Sequence, residues 1–305
     1  GVGRYTKSLV EHLGAFAASD ELNLFYFDFQ RRGIPFPVAR ATSRAVRWCP
    51  GRIVQKAWKT LGWPPFDWFA GKADVYHFPN FIRPPLSRGR SVVTIHDVSF
   101  LRHPDTTEPR NLQYLTAQIR NTVDRADAII TDSAFAAREI EELFGTPAGK
   151  VTPILLGLDP SIRRPSADAI ATTQKSLGLD RPYVLMVSTI EPRKNIAFLV
   201  EVFERMAWFD GDLVLAGARG WKCEPIFQRI AASKRKERIR HLDYVPDAQL
   251  PALYAGAELF LFPSRYEGFG FPPLEAMACG TPVLSSRGGS LPEVLGGAAE
   301  YAESF

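Results

Sequence analysis

Short apolar runs that stop at glycine, proline or a polar residue recur along the chain, and they predict buried strands alternating with helices. The clearest is Leu259-Phe260-Leu261-Phe262, ended by Pro263. It is apolar at every position and too short for a helix, so it reads as a strand buried on both faces. Tyr183 to Thr189 and Ser91 to Ile95 also read as buried strands, and Asp212 to Gly217, Asp74 to Phe78, Ala126 to Asp132, Lys150 to Leu155 and Leu22 to Phe29 as strands. Between them the spacing turns helical. Leu9, Val10, Leu13 and Phe16 mark one face of a helix over Thr6 to Ala17, and Ser133 caps a helix from Ala134 to Phe144. Further helices are expected from about Asn195 to Met206 and from Leu250 to Gly256. After Pro263, Pro272 and Pro273 suit the first turn of a helix, Gly280 its end, and Pro282-Val283-Leu284 another strand. Strands alternating with helices mean an α/β chain with parallel sheets. The polar, proline-containing stretch 160–182 reads as a short helix and linker, so two domains are expected, 1–165 and 166–305.

Composition narrows this picture. The chain has 305 residues, enough for two cores, and its 46% hydrophobic and 23% charged residues are ordinary for a globular protein. No run approaches the length of a membrane-spanning helix, and no signal peptide is visible. Cys49, Cys223 and Cys279 are scattered and fit neither a disulfide framework nor a metal spacing, which makes a reducing cytoplasm the expected compartment. The net charge of +4 is too mild to argue for nucleic acid as a partner.

That charge is unevenly spread. Residues 31–72 hold nine cations (Arg31, Arg32, Arg40, Arg44, Arg47, Arg52, Lys56, Lys59, Lys72) against Asp67 alone, a net of +8 that leaves −4 elsewhere. Phe36, Trp48, Trp58, Trp63, Phe66, Trp68 and Phe69 are interleaved with them. Bulky aromatics beside cations suit the surface of an anionic membrane. The plainer alternative is a solvated basic face whose aromatics pack inward.

Three stretches carry candidate chemistry. In Glu267-Gly268-Phe269-Gly270-Phe271 and on to Glu275, one acid lies on a loop after a strand and the other inside the next helix. Two lone acids would read as a solvated loop and a helix-dipole partner. The glycines change this, because they let backbone N–H groups approach anionic oxygens closely at a helix start. In Glu191-Pro192-Arg193-Lys194-Asn195, two cations sit where a helix begins, poorly for the helix dipole and well for a diphosphate. His96, with Asp97, ends an apolar strand; on its own a histidine there reads as structural. Gly1-x-Gly3 opens the first helix with no strand before it, and by itself is a frayed terminus as readily as a phosphate loop.

The segment "PSRYEGFGFPPLEAMACGTPV", together with "STIEPRKN", "VVTIHDVSF" and "GVGRYT", resembles the retaining glycosyltransferases of family 4, which have the GT-B fold. The resemblance runs along essentially the whole chain and is nearest in wording to bacterial polysaccharide mannosyltransferases. It implies two Rossmann-like domains facing across a cleft, and a fragment that lacks the first strand and the last helices. The donor it implies is a nucleotide-diphosphate sugar, GDP-mannose first and UDP-glucose or UDP-GlcNAc otherwise. The acceptor is a glycan or lipid-linked sugar, with no metal or other cofactor. Carried over residue by residue, Lys194 and Arg193 neutralise the leaving phosphate, Glu267 orients the sugar and His96 contacts it. Gly3, Gly217, Val245, Gly268, Phe269, Gly270, Phe271, Leu274 and Glu275 lie around the donor, with Glu275 accepting from ribose hydroxyls. His77 and Asn80 in "YHFPN", with Asp97, face the acceptor. Lipid-linked acceptors would place the enzyme at the inner face of the plasma membrane. A nucleotide-sugar epimerase of the same fold, which the Glu-x7-Glu motif argues against, and a non-catalytic sugar-nucleotide module remain as other classes.

Overall fold

The computed structural model describes residues 2–16, 20–33, 38 and 41–302. Gly1, Ala17, Phe36, Arg40 and the chain end at Phe305, on which some of the expectations rest, lie outside the described residues. In chain order the elements are α1 (Val2–Phe16), β1 (Leu22–Phe27), β2 (Ala41–Val46), α2 (Gly51–Leu61), α3 (Asp67–Ala70), β3 (Val75–Phe78), β4 (Arg90–Thr94), α4 (Ser99–Arg102), α5 (Pro109–Arg125), β5 (Ala128–Thr131), α6 (Ala134–Phe144) and β6 (Val151–Pro153). They continue with α7 (Ala167–Ser176), β7 (Tyr183–Val187), α8 (Ile196–Arg205), β8 (Asp212–Ala216), α9 (Glu224–Ala231), β9 (Ile239–Asp243), α10 (Leu250–Ala255), β10 (Leu259–Phe262), α11 (Phe271–Ala278), β11 (Val283–Ser285), α12 (Leu291–Leu295) and β12 (Glu300–Tyr301). By its contacts the chain divides into two compact units. One is Gly1–Ile95 with Ala117–Ile130 and Thr146–Lys150; the other is His96–Thr116 with Thr131–Gly145 and Val151–Phe305.

The first unit contains the region of high positive charge. Here β1 pairs in parallel with β2, Leu22 opposite Ala41 through Phe27 opposite Val46. Val46, Val54 and Phe69 are buried, and Phe25, Phe27, Cys49 and Trp58 pack against them. Phe66 joins this cluster edge-on to Phe25 and tilted against Trp58. The described aromatics of residues 31–72 divide between the core and the surface. Trp58, Phe66 and Phe69 turn inward, while Trp48 is 73% exposed, Trp63 56% and Trp68 57%. The one acid, Asp67, is buried and satisfied from outside the segment: Ser87 donates to it through its backbone N–H and its hydroxyl, and Arg88 Nε lies 3.3 Å away. Gly3, expected near the donor's phosphates, lies in the first turn of α1. β3 pairs in parallel with β4, and β4 with β5.

The second unit is built on a six-stranded sheet of order β12-β11-β10-β7-β8-β9. Its central strands, YVLMV in β7, DLVLA in β8 and LFLF in β10, are apolar and almost fully buried, as expected for parallel strands covered on both faces. Tyr183, Leu185, Val214, Phe260 and Phe262 form the core with Val200 and Phe203 of α8 and Tyr254 of α10. The sheet grows from β7 to β8 and β9 in one direction. The chain then returns to the other side of β7 with β10, β11 and β12. That reversal leaves a crevice between β7 and β10 at their carboxyl ends, the place where open α/β sheets bind ligands.

Candidate functional site

Both loops at the reversal carry the candidate residues. After β7 the chain makes a tight turn over Pro192–Lys194, and Asn195, at φ 57°, starts α8. After β10, Gly270 at φ 109° starts α11, with Pro272 and Pro273 in its first turn as expected. The loops are tied together, since Arg265 N donates to Arg193 O at 2.9 Å.

Their side chains form a buried cluster of opposite charges. Lys194 Nζ donates to Glu267 Oε1 at 2.6 Å. Arg193 donates through Nη1 to Glu267 Oε2 at 3.1 Å and to Tyr266 O at 2.6 Å, and through Nη2 to Glu191 Oε1 at 2.8 Å. Ser264 Oγ also donates to Glu267 Oε1. Glu267 is only 7% exposed. Burial would raise its pKa, but Lys194 and then Arg193 hold it down at about 2. Burial likewise works against the Arg193 cation. The carboxylates of Glu267, Asp97 and Glu191 more than offset that and raise its pKa. Buried ion pairs are a poor source of stability, because desolvation consumes most of their attraction. Burial pulls the Lys194 pKa down, with the Glu267 carboxylate acting against it. Two buried cations at a sheet crevice therefore point to a ligand site.

Glycines let the surrounding backbones close on this cluster. A Cβ on Gly289 (φ 69°) would lie 2.3 Å from Glu267 O, and one on Gly288 2.4 Å from Ser264 O. Ser290 Oγ donates to Glu267 O and Phe269 O, both at 3.0 Å. A Cβ on Gly268 would lie 2.6 Å from His96 O and 2.7 Å from Asp97 Cβ. The acid loop thus rests directly on the His96-Asp97 backbone, and Ser133 Oγ fastens it by donating to Gly268 O at 2.8 Å. Asp97 Oδ1 accepts from Ser99 N, and His96 Nδ1 lies 2.8 Å from Asp132 Oδ2.

Of the expected site residues, Arg193, Lys194, Glu267, Gly268, Asp97 and His96 therefore meet in one unit. Gly217 ends β8 on the same edge of the sheet, and buried Val245 follows β9. The Phe269 and Phe271 rings lie 5.0 Å apart, and Leu274 packs partly buried against the core. Glu275 is 3% exposed and accepts from Tyr254 Oη at 2.8 Å, so at least one of its oxygens is committed to the core. Gly3, His77 and Asn80 belong to the other unit, where His77 Nε2 lies 2.8 Å from Thr94 Oγ1 and Asn80 is exposed. The sequence reading passed over Glu191, Asp132, Ser264 and Ser290. Glu191 stood inside the quoted "EPRKN", and Asp132 closed an apolar strand; nothing marked the two serines.

Two family models match the chain: Glycosyltransferase Family 4 over residues 1–162 and Glycosyl transferases group 1 over residues 170–299. O-antigen chain mannosyltransferase B of Escherichia coli is 35% identical, over 99% of this chain and 83% of its own length. Among solved structures, sucrose-phosphate synthase from Thermosynechococcus elongatus matches with a TM-score of 0.72 at 21% identity, over 99% of this chain and 80% of that one. Anabaena Alr3699/HepE, solved in complex with UDP and glucose, matches with a TM-score of 0.69 at 19% identity, over 97% of this chain and 81% of that one.

Proposed function

The chain belongs to glycosyltransferase family 4, with the parallel-sheet α/β architecture of the GT-B glycosyltransferases, and from this we propose that it transfers mannose from GDP-mannose, with retention of configuration, to a glycan or lipid-linked acceptor in cell-surface polysaccharide synthesis. In this reading residues 1–165 serve the acceptor and 166–305 hold the donor. The observation that carries it is the Lys194–Glu267–Arg193 cluster at the crevice between β7 and β10.

The donor's diphosphate is placed against Lys194 and Arg193, whose charge stabilises the departing β-phosphate. Glu267 and the amides after it orient the sugar, and His96 contacts it. The bond from C1 to the phosphate oxygen breaks while the acceptor oxygen bonds to C1 on the same face. A phosphate oxygen takes the acceptor's proton, so no carboxylate nucleophile is needed. The two cations fill the role a metal ion has in other transferases.

UDP-glucose is the second donor reading, favoured by the likeness to a structure solved with UDP and glucose. Nucleotide release from GDP-mannose, UDP-glucose and UDP-GlcNAc, measured with acceptor present and Glu267→Ala as the blank, decides between them. Release is expected from GDP-mannose, falling at least about 100-fold in the variant. Release from a UDP-sugar alone reassigns the donor. Conversion of the donor without acceptor would indicate an epimerase, and binding without turnover a non-catalytic module.

We further propose that residues 31–72 dock on an anionic membrane, which would place the enzyme at the cytoplasmic face of the plasma membrane. Among the described residues, no helix is long and apolar enough to cross a membrane. Support comes from the exposed Trp48, Trp63 and Trp68, joined by Ile53 and Leu61 of α2, 62% and 73% exposed, beside the exposed cations Arg52, Lys56 and Lys59. Such a surface offers aromatic rings to the interface and charge to the headgroups. Co-sedimentation with vesicles containing anionic lipid is expected, weakening roughly tenfold when the three tryptophans become alanine. Binding indifferent to anionic lipid would sink the idea.

A further inference from the structure

His96 does not stand alone. Asp132, just past the end of β5, is buried, and its Oδ2 lies 2.8 Å from His96 Nδ1. The two side chains are 15% and 7% exposed. Among the described residues, the other oxygen of Asp132, Oδ1, is buried with no hydrogen-bond partner. Leaving a carboxylate oxygen unsatisfied in the interior is costly, and a core requirement does not account for it, since an apolar side chain would avoid the cost. The next residue, Ser133, caps α6 by accepting from Ala136 N, and its hydroxyl donates to Gly268 O. The Asp132 backbone is thereby anchored both to a helix start and to the loop that carries Glu267. That same loop abuts the His96 backbone at Gly268.

We propose that Asp132 is the positioning residue for His96. An ionised carboxylate can only accept, so the proton of the pair resides on His96 Nδ1. In the neutral ring that leaves the lone pair on Nε2, and the second nitrogen then acts as an acceptor for a hydroxyl of the bound hexose. Asp132 fixes both the plane of the ring and its tautomer, acting on the sugar only through His96. A histidine without such a partner would populate both tautomers and offer the sugar a donor at Nε2 as well as an acceptor. This inference rests on His96 being a sugar contact, as read above.

The test uses Asp132→Asn, which keeps the shape of the side chain and can donate to Nδ1. Nitrogen-15 NMR of the histidine-labelled protein reads the tautomer directly. With five histidines in the chain, the His96 signals are assigned by their loss in His96→Ala. The expected result is Nδ1–H in the native protein and Nε2–H in Asp132→Asn, with the unfolding midpoint nearly unchanged. Turnover should fall about 10- to 100-fold, by analogy with metal-bound histidines that lose the partner orienting the ring. The double variant should be no slower than His96→Ala within about twofold, since residues acting through one another are not additive. A native tautomer retained in Asp132→Asn, or a full extra loss on top of His96→Ala, overturns the proposal. If His96→Ala alone leaves transfer intact, the sugar contact fails instead, while the tautomer result still judges the Asp132–His96 pairing. An Asp132→Asn protein that unfolds at ordinary temperature would mean that the carboxylate serves the fold, and would also overturn it.

Discussion

Lys194→Ala is expected to lower kcat by about 10³-fold, with a much smaller change in the donor KM. The reason lies in when the charge is needed. In the resting protein the Lys194 ammonium already has a carboxylate partner, Glu267 Oε1 at 2.6 Å, and a second cation, Arg193, shares the same acid. On the proposed mechanism a bound donor brings negative charge into this crevice, and that charge grows on the β-phosphate as the bond to the sugar breaks. A cation fixed beside it stabilises the transition state more than the bound substrate, which is what separates an effect on kcat from one on KM. The variant also leaves Glu267 with Arg193 and Ser264 as hydrogen-bond donors, so some stability is lost. Removing one member of a buried pair costs about 3–5 kcal/mol when nothing replaces it, and the remaining partners reduce that cost here. Circular dichroism and a thermal melt on the same preparation therefore accompany the assay. Near-normal turnover from a folded Lys194→Ala protein would remove the leaving-group role, and a KM effect without a kcat effect would make the lysine a binding residue only.

Much of this cluster could be seen in the sequence, because its members sit in short, chemically odd stretches: two cations at a helix start, and an acid between glycines after a strand. The residues that complete it could not. Ser264 and Glu267 are close in sequence, but Glu191 and Arg193 reach the acid loop only because β7 and β10 are neighbours in the sheet, a fact of topology rather than of pattern. Asp132 pairs with a histidine 36 positions away, and only the juxtaposition of the two strand ends reveals it. The basic segment failed differently. Its charge dominated the reading, yet Ile53, Val54, Ala57, Trp58 and Leu61 of α2 follow helical spacing, and β2 is too polar along its length to stand out as a strand. Which aromatics turn inward was settled by Phe25 and Phe27 of β1, whose rings receive Phe66, Phe69 and Trp58. α5 was missed for want of a turn signal, although Leu112, Leu115, Ile119 and Val123 repeat at helical intervals.

The largest stability loss is expected from Gly217→Ala. The resemblance made Gly217 a donor contact, and the structure adds a packing reason for glycine there. Its φ is +144°, a conformation side chains rarely adopt, and a Cβ would lie 1.9 Å from Ser188 O and 2.6 Å from Ser188 C. Neither backbone can retreat. Ser188 N donates to Ala216 O at 2.9 Å, Gly217 N donates to Asp243 O at 2.7 Å, and His241 Nε2 lies 2.8 Å from Gly217 O. The carboxyl ends of β7, β8 and β9 are locked together at this one residue. A methyl group there must part β7 from β8 or break the bond to β9, and the combined strain and lost hydrogen bonding should cost about 3 kcal/mol or more. A unit of this size would melt roughly 6–12 °C lower as a result. Because Ser188 begins the loop that ends in Arg193 and Lys194, transfer should weaken in step with stability. Gly3→Ala is the contrasting variant. It lies in a helix with nothing among the described residues within 4 Å of the added methyl, so stability should hold or rise slightly. A loss of donor affinity there without a loss of stability would mark Gly3 as a close approach to the donor. A Gly217→Ala protein that melts like the native one would show that the β7–β8 junction yields, and the packing account of that glycine would fall.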